Sequence, residues 1–101
     1  MIVQLVKFTS SLTEEECTRV AREREQAYRD TPGLIQKFYI KLGAPDTYAG
    51  FLVWDSAESL AAFRQTELAR TIPEAYGVIG TPEITVGETM FLLNEGALMP
   101  A

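Results

Sequence analysis

The sequence predicts one α+β domain of the ferredoxin-like type, βαββαβ. Three observations predict it. Runs of β-forming residues occur at 1–8, 34–42, 47–54 and 83–94. Two helix-start signatures, Thr13-x-x-Glu16 and Asp55-x-x-Glu58, follow the first and third of these runs. A chain of 101 residues is long enough for one hydrophobic core and too short for two. This split βαβ order usually closes as a four-stranded antiparallel sheet with both helices on one face.

Each element has its own reason. Residues 1–8 alternate loosely and read as the first strand. Thr13 then caps a helix that runs to about Asp30 and stops at Pro32-Gly33. Cys17, Val20, Ala21, Ala27 and Tyr28 form its apolar stripe near the 3.6 period, interrupted by Arg24. Glu15/Arg19 and Glu25/Arg29 pair on its solvated side. Gly43-Ala44-Pro45-Asp46 is a turn between the second and third strands. Asp55 or Ser56 caps a second helix, with Glu58 completing the box and Leu60, Ala61, Phe63 and Leu68 on its buried side. Residues 67–77 form a short separate segment broken by Pro73 and Gly77. The last strand covers 83–94, with a bulge at Gly87. The domain is 1–101, with its core in 1–94 and a loosely held tail at 95–101.

Composition narrows the function. The net charge of −5 repels phosphate backbones and anionic lipid, so neither nucleic acid nor membrane is an expected partner. No apolar run approaches the roughly 20 residues of a membrane span. Met1-Ile2-Val3-Gln4-Leu5 lacks a basic leader, and the single Cys17 suits a reducing compartment, so a cytoplasmic setting is expected. Cys17 reads as a small buried hydrophobe. The sequence contains no histidine. That removes Ser-His-Asp and Cys-His catalysis, most zinc and non-haem iron sites, and a proximal histidine for haem. No cofactor is expected.

The sheet is apolar on both faces, and two helices cover only one. Ile2, Val6 and Phe8 oppose Val3 and Leu5, and Phe51 and Val53 oppose Leu52 and Trp54. The second face needs a cover, and the same face of a second subunit is the simplest, so a homodimer is expected. A four-residue turn at 43–46 pairs Leu42 with Thr47. Phe38, Ile40, Ala49, Phe51 and Val53 then share one face, and Ile35, Lys37, Tyr39, Tyr48, Leu52 and Trp54 the other. The first set is the expected dimer seam, carried by Phe38, Ile40, Phe51 and Val53. The second is aromatic with polar tips and suits a ligand pocket.

Pro32-Gly33-Leu34-Ile35-x-Lys37, the strand end Val53-Trp54-Asp55-Ser56, Glu58-Ser59-Leu60-Ala61-Ala62-Phe63 and Tyr76-Gly77-Val78 together resemble the dimeric α+β barrel superfamily. The nearest likeness is to mono-oxygenase-like proteins related to the antibiotic-biosynthesis monooxygenases. The resemblance covers about residues 1–94. It implies a homodimeric barrel with one pocket per subunit between sheet and helices. Oxygenases of that group use an early-strand asparagine and a tryptophan ending the third strand. Trp54 fills the tryptophan position, whereas the early strand carries Gln4 and Lys7. The helix histidine of the haem-degrading branch is replaced by Phe63 and Arg64, so haem degradation is not implied.

The expected pocket comprises Trp54, Tyr39, Tyr48, Lys37, Leu52 and Arg64. Each also has an ordinary reading: Trp54 as a core residue, the tyrosines as cross-strand aromatics, Lys37 as a strand lysine reaching solvent, and Arg64 and Arg70 as surface arginines. Two functions stay open. One is a cofactor-independent monooxygenase acting on a small phenol or hydroquinone. The other is a non-catalytic homodimer that either binds a small aromatic or hydrophobic ligand or serves a stress-related role without pocket chemistry.

Overall fold

The computed structural model describes residues 1–94. Its elements are β1 (Ile2–Ser10), α1 (Glu14–Arg29), β2 (Leu34–Lys41), β3 (Thr47–Trp54), α2 (Ala57–Arg64), α3 (Glu67–Arg70), α4 (Ile72–Ala75) and β4 (Val78–Glu88). The strands form one sheet in the order β2-β3-β1-β4, every neighbouring pair antiparallel. The fold is therefore the ferredoxin-like α+β arrangement, with the helices on one face.

The α1 start forms as the sequence demands. Thr13 accepts the Glu16 N–H, and the Glu16 carboxylate accepts the Thr13 N–H, both at 3.1 Å. The α2 start takes the second of its two expected caps. Ser56, not Asp55, is the cap, and its hydroxyl accepts the Ser59 N–H at 3.2 Å. Asp55 instead accepts the Ser56 hydroxyl, so the expected Asp55/Glu58 box does not form. Arg29 pairs with Glu25 as expected, but Arg19 turns to Glu23 rather than Glu15. Ala27 is exposed, and the inward stripe of α1 runs through Cys17, Ala21, Arg24 and Tyr28. Pro73 starts α4 rather than breaking it, since the first helical turn needs no proline N–H.

The hairpin register is the expected one. Leu42 donates to the Thr47 carbonyl at 3.1 Å, and Ile40, Phe38 and Gln36 lie opposite Ala49, Phe51 and Val53. Asp46 takes the left-handed conformation that closes the turn (φ 57°). A shift between Leu34 and Gln36 then sets Leu34 against Trp54.

The last strand starts earlier than expected, at Val78, and ends at Glu88. Pro82 lies inside it, which an edge strand tolerates. The irregularity falls between the Lys7/Glu83 and Thr9/Ile79 pairs, where Gly80 has φ 71°, and not at Gly87, which pairs regularly with Val3. Beyond Glu88 the Thr89 N–H donates to the Met1 carbonyl at 2.9 Å, and Met90, Phe91 and Leu93 lie outside the strand. The expected tail at 95–101 lies outside the described residues.

Tyr28, Leu52, Trp54, Leu60 and Phe63 make the core between sheet and helices. Gly33 fixes how the chain enters β2. Its φ is 81°, and an added Cβ would meet Ser59 Oγ at 2.1 Å and Asp55 Oδ1 at 2.7 Å. Gly33→Ala should lower the unfolding free energy by about 2–3 kcal/mol, from left-handed strain plus the clash. Gly43, with open space around its Cβ position, is the control. In urea titrations Gly43→Ala should stay within about 0.5 kcal/mol of wild type, and equal losses in both variants would refute the assignment.

Candidate functional site

A cavity of about 750 Å3 separates α1 from the sheet. Its floor comes from β1, β2 and β3, and its roof from α1 and the α2–α4 region. Small residues make the room: Gly50 lies on the floor and Ala21 in the roof.

Lys37 is the chemically distinctive group. Strand register points it inward, opposite Leu52. Its Nζ lies 3.4 Å from the centre of the Tyr28 ring and 4.6 Å from that of Tyr39. No carboxylate pairs with it among the described residues, whereas Lys7 and Lys41 pair with Glu83 and Glu14. Loss of water, helped by the nearby Arg24 charge, pushes the Lys37 ammonium down from 10.5 to about 7. The Tyr28 ring face offsets part of that loss without restoring a counter-charge.

The tyrosines respond in the opposite sense. Burial pushes the Tyr28 phenol up to about 12, although the Arg24 guanidinium works against it. Burial also raises Tyr76, and it raises Tyr39 with help from Glu25. Tyr48 is raised by desolvation, with smaller effects from neighbours including Cys17 and Asp46. All four phenols are thus neutral near pH 7. Lys37, brought down to about 7, is poised to exchange a proton there.

Of the six residues expected to form a pocket, Lys37, Tyr39, Tyr48, Leu52 and Arg64 border the cavity. Trp54 does not. It is fully buried, packed 5.0 Å from the Phe63 ring, and its Nε1–H donates to Gln4 Oε1 at 3.2 Å. Gln4 does border the cavity, and its amide oxygen is the atom Trp54 holds. Phe38, Phe51 and Val53 lie on the opposite face of the sheet. Ile40 belongs to that face by register and also reaches the cavity rim.

Four residues escaped the sequence reading as site residues: Gln4, Arg24, Tyr28 and Tyr76. Arg24 carried a signal, since a cation on the apolar stripe of a helix points at the core. Its Nη2 donates to the Leu68 carbonyl at 2.6 Å and to Thr71 Oγ1 at 3.1 Å, which anchors α3 to α1. Tyr76 carries no such signal, because only the fold brings α4 over β1, with its ring 5.6 Å from Phe8. Ser10 secures that approach by donating to the Tyr76 carbonyl at 2.6 Å.

Solved structures share this fold. A protein of unknown function from Nitrosomonas europaea, NE2512, matches with a TM-score of 0.78 at 16% identity, over 99% of this chain and 94% of that one. SnoaB, a cofactor-independent oxygenase from Streptomyces nogalater, matches with a TM-score of 0.75 at 16% identity, over 93% and 97%. A Deinococcus radiodurans protein provisionally assigned as an antibiotic biosynthesis monooxygenase matches with a TM-score of 0.73 at 16% identity, over 93% and 97%. No protein-family model matches the chain, and no curated protein matches it significantly. Among the described residues no helix is long and apolar enough to cross a membrane.

The depressed Lys37 pKa has a thermodynamic consequence. Between about pH 7 and 10.5 the unfolded chain holds a proton that the folded chain has released. Wild-type stability should therefore rise with pH across that window, relative to Lys37→Met. Urea unfolding at pH 6.5, 8 and 9.5 checks this, and a constant difference between the two proteins would contradict it.

Proposed function

We propose that this protein is a cofactor-independent monooxygenase that oxidises a small phenol or hydroquinone in the cavity under α1. The observation that carries the reading is Lys37, an amine held near pKa 7 among aromatic rings. The shared fold with SnoaB, itself described as a cofactor-independent oxygenase, supports it.

The chemistry follows from proton bookkeeping. Neutral Lys37 takes the proton of a substrate hydroxyl, leaving an electron-rich phenolate. Its ring carbon gives one electron to oxygen, and the two radicals combine as a carbon-bound peroxide. The Lys37 ammonium returns its proton to the distal oxygen. The O–O bond then breaks as the ring carbon loses its C–H proton. One oxygen stays as a carbonyl and the other leaves as water, so a phenol and O2 give a quinone and H2O. The new ammonium stays over the Tyr28 ring, close to the charge it created, where a dry site makes the attraction worth more than in water. Gln4, its oxygen held by Trp54, keeps its amide nitrogen to orient the substrate oxygen.

Oxygen uptake with a panel of hydroquinones tests the proposal. Turnover should rise with pH through an apparent pKa near 7, set by Lys37 with Arg24, Tyr28 and Tyr39 around it. Lys37→Met should cost about 100-fold or more in kcat/KM. Uptake that is absent, or unchanged in Lys37→Met, would refute it.

The working form in this proposal is a homodimer joined through the open face. Phe38 and Phe51 pack there at a tilt, 5.8 Å between ring centres, and Leu5 and Phe38 are 37% and 42% exposed. Val53, at 1%, is already covered within the chain and adds little to the seam. Met90 and Leu93, both at least 90% exposed, extend the apolar surface beyond β4. Sedimentation at micromolar concentration should give a dimer, and Phe38→Lys should shift it towards monomer. A monomeric wild type would end this part of the reading.

A further inference from the structure

Three buried polar atoms that can donate a hydrogen bond stand without a partner among the described residues. Tyr28 and Tyr76 are 4% and 7% exposed, and neither hydroxyl has a hydrogen-bond partner. Arg24 Nε is likewise buried and unpartnered, although its Nη2 is fully engaged by Leu68 and Thr71. Arg24 and Tyr28 are one helical turn apart on the same face of α1. Tyr28 and Tyr76 both border the cavity, from α1 and from the end of α4. Among the described residues neither Arg24 nor Lys37 has a carboxylate partner.

Buried donors and unpaired buried cations are both costly to maintain, and one kind of ligand satisfies both. A phenolate oxygen could use Lys37, but it would leave the Arg24 charge and the tyrosine hydroxyls unmet. A carboxylate accepts at two oxygens and carries the second negative charge.

We propose that the cavity takes a hydroxyaromatic carboxylic acid. The ring hydroxyl faces Lys37, and the carboxylate accepts from the Tyr28 and Tyr76 hydroxyls. Arg24, fixed behind Tyr28 by its two hydrogen bonds, supplies the compensating charge. The apolar body of the ligand lies over Val6, Gly50 and Leu52 on the sheet. This assignment rests on the oxygenase reading for the role of Lys37. It adds the carboxylate, which that reading does not require.

Calorimetric titration with 1-hydroxy-2-naphthoate and 1-naphthol tests it. The acid should bind at least tenfold tighter to the wild-type protein. In Tyr28→Phe/Tyr76→Phe that preference should fall below threefold. The Tyr28 hydroxyl lies beside the Arg24 guanidinium and the Tyr76 hydroxyl is unpartnered, so the unfolding temperature of the double variant without ligand should stay close to that of wild type. Equal affinity of the two compounds, or a preference untouched in the double variant, overturns the carboxylate assignment. Oxygen uptake with uncharged hydroquinones would then still stand as a separate result. If neither compound binds, this assignment falls, and oxygen uptake decides the fate of the oxygenase reading by itself.

Discussion

Leu42 donates to Thr47 across a four-residue turn, and this bond sets the register of β2 against β3. In a strand, side chains alternate between faces, so a slip of one residue would exchange every partner. The register places Lys37 inward, under Tyr28, and Phe38 outward against Phe51. With the opposite register the lysine would sit in solvent with an ordinary pKa, and a phenylalanine would fill its space. The chemistry proposed for the cavity therefore depends on a turn at the far end of the hairpin.

The space itself comes from what α1 presents to the sheet. Cys17 and Ala21 are small, Arg24 is tied sideways to α3, and only Tyr28 reaches down into the core. Gly50 gives nothing upward from the floor, and a Cβ there would touch Leu52 Cδ1 at 3.5 Å and Lys37 Cε at 3.6 Å. Core density is restored at one end by Trp54, Phe63, Leu60 and Leu52. The other end is closed by Tyr76 and Phe8, held by the Ser10 bond. The result is a helix braced at both ends over a gap, in which an unpaired lysine loses much of its water.

Much of this was legible in the residues. Capping chemistry located α1, and turn chemistry gave the hairpin register, because both are local. The β4 boundaries were not legible. Pro82 looks like a stop until the strand is known to be an edge, and Met90 to Leu93 look like strand although the ladder with β1 ends at Glu88. Trp54 was readable as a large inward residue, but not as one sealed behind Gln4, since that depends on the pairing of β1 with β3. Arg24 read as an interruption of an apolar stripe. It is part of the inward face, and its partners lie more than forty residues away in α3 and the cap that follows it.

The central claim is that Lys37 is uncharged in much of the folded population at neutral pH. The chain has three lysines, Lys7, Lys37 and Lys41. Carbon-13 NMR of the reductively methylated protein can follow each one, with Lys37→Arg assigning its resonance. One lysine signal should titrate near pH 7 and disappear in Lys37→Arg. A Lys37 signal that titrates near its ordinary value of 10.5 would contradict the account.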